Sequence, residues 1–312
     1  MSITLDQWQT QKDHIEAAKS GGARVLSNMS LVSDAWDAFK PEPDQPPASP
    51  LVVGATAHRY QEDKIVSTRW ANDLIGPLGA TRIFERDLPA TWVPLCPDLP
   101  DMQEIISYKS ATQANIESYV ASMRPGDLLC YFHEPENDFG GVGADFVAAW
   151  TAQQEMVGSA GGELGMIAMS YQYAGGRNGQ DGSFLPPADL CAWYGVDDYE
   201  GGAAKGDYGH IAPLSEDDGQ FNNWYQLVKA LGRPLLITEY GRGTRDREPY
   251  ATQQRLDVIP QDEQWLIDNG FSHWLYWFED GQGGIPGSGG QWIFDDQASI
   301  DLWASLSEKY AG

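Results

Sequence analysis

At 312 residues, with 42% hydrophobic and 12% aromatic side chains, the chain is long and apolar enough to bury a sizeable core, which excludes a disordered polymer. Its net charge of −25 excludes a nucleic-acid-binding face and disfavours an anionic membrane, because both demand clustered cations. No apolar run approaches the roughly 20 residues a membrane helix needs, and Met1–Trp8 carries neither the basic nor the apolar region of a secretory signal.

Taken in order, residues 1–40 read as a short helical extension in two pieces, Leu5–Lys19 and Leu31–Lys40, separated by Gly21-Gly22. Pieces this short do not fold alone and must pack on something, which leaves room for a tethering or assembly partner of residues 1–50. Residues 41–50 hold five prolines in ten positions and read as a semi-rigid linker. The domain boundary falls there, with one domain expected over 51–312.

From Leu51 a strand–helix rhythm sets in. The expected strands are Leu51–Ala57, Ala80–Arg86, Met102–Lys109, Leu128–Phe132, Leu164–Tyr171, Leu190–Val196, Leu235–Thr238 and Phe271–Phe278. Helices are expected over 62–77, from Ser110 to Pro125, over 144–158, 219–231, parts of 250–269, and Ser299–Tyr310. Ser110 with Gln113 three residues on has the spacing of a capping box. A Pro-rich loop follows the second strand, and Gly281–Gly290 forms a glycine-rich loop after the eighth. Eight apolar strands alternating with helices match a (β/α)8 TIM barrel in count and size. The competing doubly wound sheet wants a glycine-rich phosphate turn after its first strand, where this chain has His58-Arg59-Tyr60.

In such a barrel the chemistry sits just after the strands. Those positions hold His58 and Arg59, Arg82–Arg86, Lys109, His133–Asp138, Tyr171–Tyr173, Asp197-Asp198-Tyr199, Glu239-Tyr240 and Trp277–Asp280. No H-x-H pair or H-E-x-x-H offers a metal site, and no cofactor motif appears. Cys96, Cys130 and Cys191 form neither a disulfide framework nor a zinc motif. Pro286-Gly287-Ser288-Gly289-Gly290 lacks the first glycine of a serine-hydrolase elbow. Carboxylate chemistry remains: Glu134 and Glu239, each ending an apolar strand, are the pair a glycosidase needs.

His133-Glu134-Pro135 resembles the fourth-strand signature of clan A glycoside hydrolases, and Ile237-Thr238-Glu239-Tyr240-Gly241 resembles the seventh-strand signature. The resemblance implies Glu134 as acid/base and Glu239 as nucleophile of a retaining endo-β-glycosidase acting on an oligo- or polysaccharide. Histidine before the acid/base is most similar to glycoside hydrolase family 26, which contains β-mannanases. Trp277 is similar to the eighth-strand tryptophan under the reacting sugar, Tyr199 to the sixth-strand tyrosine that touches the nucleophile, and Arg82 to a second-strand arginine of several clan families. His58, His133, Tyr173 and Asp198 complete the expected substrate-binding set. Glu136 is left open as a second candidate acid, although Pro135 makes it hard for both glutamates to face one way. The competing expectation is a non-catalytic carbohydrate-binding or structural barrel, tethered through residues 1–50 to a larger assembly.

Overall fold

A computed structural model describes residues 51–59, 62–201, 211–216, 219–243, 249–279, 294 and 296–311. The expected helices of 1–40, the linker 41–50 and the loop 281–290 lie outside them.

Eight parallel strands close into a barrel in chain order, with the eighth pairing back on the first. They are β1 (Val52–His58), β2 (Ala80–Asp87), β3 (Gln103–Ser110), β4 (Leu128–Tyr131), β5 (Leu164–Met169), β6 (Tyr194–Gly201), β7 (Leu235–Gly243) and β8 (Phe271–Glu279). The helices are α1 (Lys64–Ile75), α2 (Gln113–Ser122), α3 (Pro135–Asp138), α4 (Gly143–Ser159), α5 (Phe221–Val228), α6 (Pro249–Asp268) and α7 (Gln297–Tyr310). The expected (β/α)8 TIM barrel is therefore the observed fold. Among the described residues no helix is long and apolar enough to cross a membrane.

The strands are apolar on both faces because both are covered. Ala80, Ile105, Cys130, Ile167, Trp193, Leu236 and Leu275 fill the barrel interior. Gly165 is required there: a Cβ would lie 2.0 Å from the Trp193 ring, which crosses β5 at that point. The outer faces meet the helices in a larger cluster that buries Trp150, Trp224, Trp274 and Trp303 completely. Each such side chain contributes on the order of 2–3 kcal/mol of burial. Asp63, Thr112 and Asp296 cap α1, α2 and α7, each accepting from a backbone N–H of the first turn.

Two local expectations are corrected. Ser110 does not open the second helix; it ends β3 in register with Asp87, and Thr112 supplies the cap. The sixth strand is not Leu190–Val196 but Tyr194–Gly201. Pro187 bends 187–191 into a turn whose carbonyl accepts from Leu190 and Cys191, so pairing starts later and runs through the polar Asp197–Gly201.

Candidate active site

Side chains alternate along a strand, so every second residue enters the barrel. On β2 this sends Arg82 inward beside Phe84, whose ring the guanidinium overlies at 4.6 Å. On β6, Asp197 and Tyr199 share the inner face. On β7 the register shifts, and Glu239 pairs with Asp197. The result is a buried cluster at the carboxyl ends of the strands. Arg82 Nη1 donates to both oxygens of Asp197 at 2.6 and 2.7 Å, and to Glu239 Oε1 at 2.7 Å. Tyr199 Oη donates to Glu239 Oε2, and Thr238 Oγ1 donates to Asp197 Oδ1 at 2.6 Å.

Glu134 reaches the cluster from the other side. Phe132 and Glu134 both adopt left-handed backbone, with φ of 53° and 51°. Such residues cost on the order of 1–3 kcal/mol each and persist where surrounding contacts impose them. Here Glu134 N is held by Ile167 O at 2.8 Å, and Glu134 sits at the N-terminus of α3, with Pro135 fixing the first helical position. One oxygen from each of Glu134, Asp197 and Glu239 lies within 4.8 Å of the others, the only acidic grouping so close among the described residues. A set like this has the spacing to hold a cation, but the Arg82 guanidinium is already bonded to two of its three members.

The electrostatics separate the two glutamates. Burial pushes Glu134 well above the usual carboxyl range, and Asp197 and Glu239 push further. Burial and Asp197 also raise Glu239, to about 8, although Arg82 and Tyr199 pull against them. A proton shared by the pair rests preferentially on Glu134, because the guanidinium and phenol bonded to Glu239 favour its ionised form. Burial works against the charge of Arg82, and Asp197 and Glu239 outweigh it. Burial lowers His133 to about 2, with Arg82 and Lys109 adding to the effect, so this imidazole is neutral.

A cavity of about 510 Å³ opens over the cluster. Glu134, Glu239, Arg82, His133, His58, Tyr199 and Trp277 line it, together with Thr56, Thr68 and Phe84. His58 stacks on Trp277 at 6.4 Å, and Tyr199 meets the Trp277 edge at the same distance. Phe84 meets the His133 ring edge-on at 5.1 Å and is 40% exposed.

Two expected binding residues are elsewhere. Asp198 takes the outer face of β6 and pairs with Arg242 at 2.9 Å. Tyr173 leaves the barrel direction because β5 ends at Met169 and a 3₁₀ turn, Ser170–Tyr173, follows; its Oη donates to Glu136 at 2.8 Å. Glu136 is buried against that turn and does not line the cavity. Asp197 is the cluster member sequence reasoning passed over. Alternation from Tyr199 was the signal that could have found it.

No protein-family model and no curated protein matches the chain. Solved structures do resemble it. The catalytic domain of an endo-β-1,4-mannanase of family 26 from Bacillus sp. JAMB-750 superposes with a TM-score of 0.52 at 12% identity, covering 84% of this chain and 86% of the other. A subgroup I endo-β-1,3-glucanase of family 128 from Amycolatopsis mediterranei gives 0.52 at 13%, covering 81% and 99%. A 4-O-α-L-rhamnosyl-β-D-glucuronidase from Fusarium oxysporum 12S gives 0.53 at 15%, covering 85% and 71%. At such identities the likeness is one of fold, and that fold is here shared with glycoside hydrolases.

Proposed function

We propose that the chain is a retaining endo-β-glycosidase of the clan A type, acting on a β-mannan or related β-linked glycan. The observation that carries this reading is the approach of Glu134 and Glu239 oxygens to within 4.8 Å at the ends of β4 and β7. Retaining enzymes hold their two carboxyl groups about 5–5.5 Å apart, whereas inverting enzymes leave about 6.5–9.5 Å for a water.

In the first step a Glu239 oxygen bonds to the anomeric carbon as the glycosidic C–O bond breaks. The electron pair of that bond takes the Glu134 proton, so the leaving sugar departs as a neutral alcohol. Water then replaces it. Glu134, now a carboxylate, removes a proton from that water as its oxygen bonds to the anomeric carbon, and the ester to Glu239 breaks. Arg82 and Tyr199 favour the ionised form of Glu239 before attack and stabilise it again as the leaving carboxylate. Trp277, backed by His58, is the proposed platform for the reacting ring, and neutral His133 a hydrogen-bonding wall.

Turnover of β-mannan, β-glucan, xylan and galactan, followed by the anomeric configuration of the first product, tests this. Glu239→Gln is expected to lower turnover about ten-thousandfold, and Glu134→Gln about a hundred- to ten-thousandfold. Turnover that survives Glu239→Gln, or a product of inverted configuration, sinks the mechanism.

A further inference from the structure

Five residues beyond the glutamate pair bind α3 to the 3₁₀ turn after β5, and one of them, Asn137, touches Glu134. Asn137 Nδ2 donates to Glu134 Oε2 at 3.2 Å. Its Oδ1 accepts from both Tyr171 Oη and Gln172 Nε2. Two donors converging on one amide oxygen turn the NH2 group toward the glutamate. A second tie runs beside the first: Tyr173 Oη to Glu136 Oε1 at 2.8 Å, with Asn178 Nδ2 on the Glu136 carbonyl at 3.2 Å. Asn223 Nδ2 in turn holds the Tyr173 carbonyl at 3.0 Å.

We infer that Asn137 is a positioning residue for the general acid: its amide N–H occupies one oxygen of Glu134 and confines the acidic proton to the other. A carboxylic acid has one O–H, and its carbonyl oxygen is the stronger acceptor, so the oxygen that accepts from Nδ2 is favoured as the carbonyl and the proton is favoured on the other. In a buried carboxyl either oxygen could otherwise carry the proton, and only one faces a given glycosidic oxygen. After the proton leaves, the same N–H stabilises the carboxylate that must activate water. Tyr171 and Gln172 act one step further back, by fixing the orientation of the amide. The charged groups around Glu134 are Asp197 from β6, Glu239 from β7 and Arg82 from β2, with Glu136 on its own helix; Asn137 is an uncharged donor among them. This inference rests on the glycosidase reading for its purpose but not for its geometry.

The test therefore has two independent arms. In the first, the full chain carries glutamate labelled with carbon-13 at the carboxyl, and the Glu134 signal is identified by its loss in Glu134→Gln. Asn137→Ala is expected to raise the Glu134 titration midpoint by about one pH unit, tenfold in acidity. The double variant Tyr171→Phe with Gln172→Ala keeps Asn137 and should shift it in the same direction by less. A midpoint that stays put in both folded variants overturns the inference, since loss of a merely structural tie lowers thermal stability without moving it. If Asn137→Ala does not fold, the double variant alone decides. In the second arm, dinitrophenyl and phenyl β-mannobiosides serve as substrates. The first leaves without acid assistance and the second does not, so the ratio of their kcat/KM values should rise about tenfold in Asn137→Ala. An equal loss on both overturns the inference. Absence of turnover on either substrate counts against the glycosidase reading and leaves the titration arm to judge Asn137.

Discussion

Two buried clusters of nearly the same composition lie back to back across β6 and β7. The inner one joins Arg82 to Asp197 and Glu239, with Tyr199 on the glutamate. The outer one joins Arg242 to Asp198 and Asp262, with Tyr240 on the second aspartate. Each has an arginine, two carboxylates and a tyrosine. The difference is what closes them. The outer cluster is sealed by α6, which carries Asp262, and Leu214 N also donates to that carboxylate at 2.6 Å. The inner cluster has a cavity above it and a third carboxyl, Glu134, in reach. Burial and an arginine partner are thus common to both clusters, and a third carboxyl converging on open space is what makes the inner one the candidate site.

The comparison breaks most decisively at neighbouring aspartates. Asp197→Asn should lower turnover at least about a hundredfold, because Arg82 and Glu239 lose the group that orients them. Asp198→Asn should leave kcat of the folded enzyme unchanged and cost about 3 kcal/mol of unfolding free energy, the penalty of leaving Arg242 short of a buried partner. Chemical denaturation and steady-state rates on the same samples separate the two. Equal effects on rate would erase the distinction between inner and outer clusters.

Glu136 sharpens the same contrast, being buried with the Tyr173 phenol as its partner. Burial pushes it up to about 7. An acid raised in the folded state stabilises fully below its unfolded value and loses that contribution as pH rises through the folded one. The chain should therefore lose up to about 3 kcal/mol between about pH 4.5 and 7 from this group. In Glu136→Gln that slope should flatten, as urea midpoints at the two ends of the window would report. A steeper slope in the variant would contradict the assignment.

The smallest effects belong to the tyrosines. Tyr199→Phe should cost about ten- to a hundredfold in turnover, by withdrawing a donor from the Glu239 carboxylate, with little change in melting temperature. Tyr240→Phe should cost about 1–2 kcal/mol of stability, the loss of a hydrogen bond to the Asp262 carboxylate, and nothing in turnover. Exchange of these two phenotypes would reverse the roles of the clusters.

Glu134 and Glu239 were legible because each ends a run of strand formers, and a charge at that point marks the mouth of a barrel. His58 was legible as a strand-end residue, Arg82 and Trp277 through the family resemblance, and all three line the cavity. Asp198 was not separable from Asp197 by type, and only alternation from Tyr199 distinguishes them. The choice depends on which face of β6 points inward, and the register shift between Val196 and Asp197 sets that against β7. Tyr173 was misplaced because nothing in Ser170-Tyr171-Gln172-Tyr173 announces that the strand gives way to a 3₁₀ turn.

By itself, then, the sequence determined the fold class, through strand–helix alternation over 51–312, and the placing of Glu134 and Glu239 at strand ends, through abrupt changes from apolar to ionisable residues. Those are local properties, written in consecutive side chains. The partnership of Arg82 with residues 115 and 157 positions away, the left-handed turns at Phe132 and Glu134, and the tie from Tyr171 through Asn137 to Glu134 were decided only by the closed barrel. Closure brings distant strand ends within hydrogen-bond range, and no local pattern encodes which side chains will meet there.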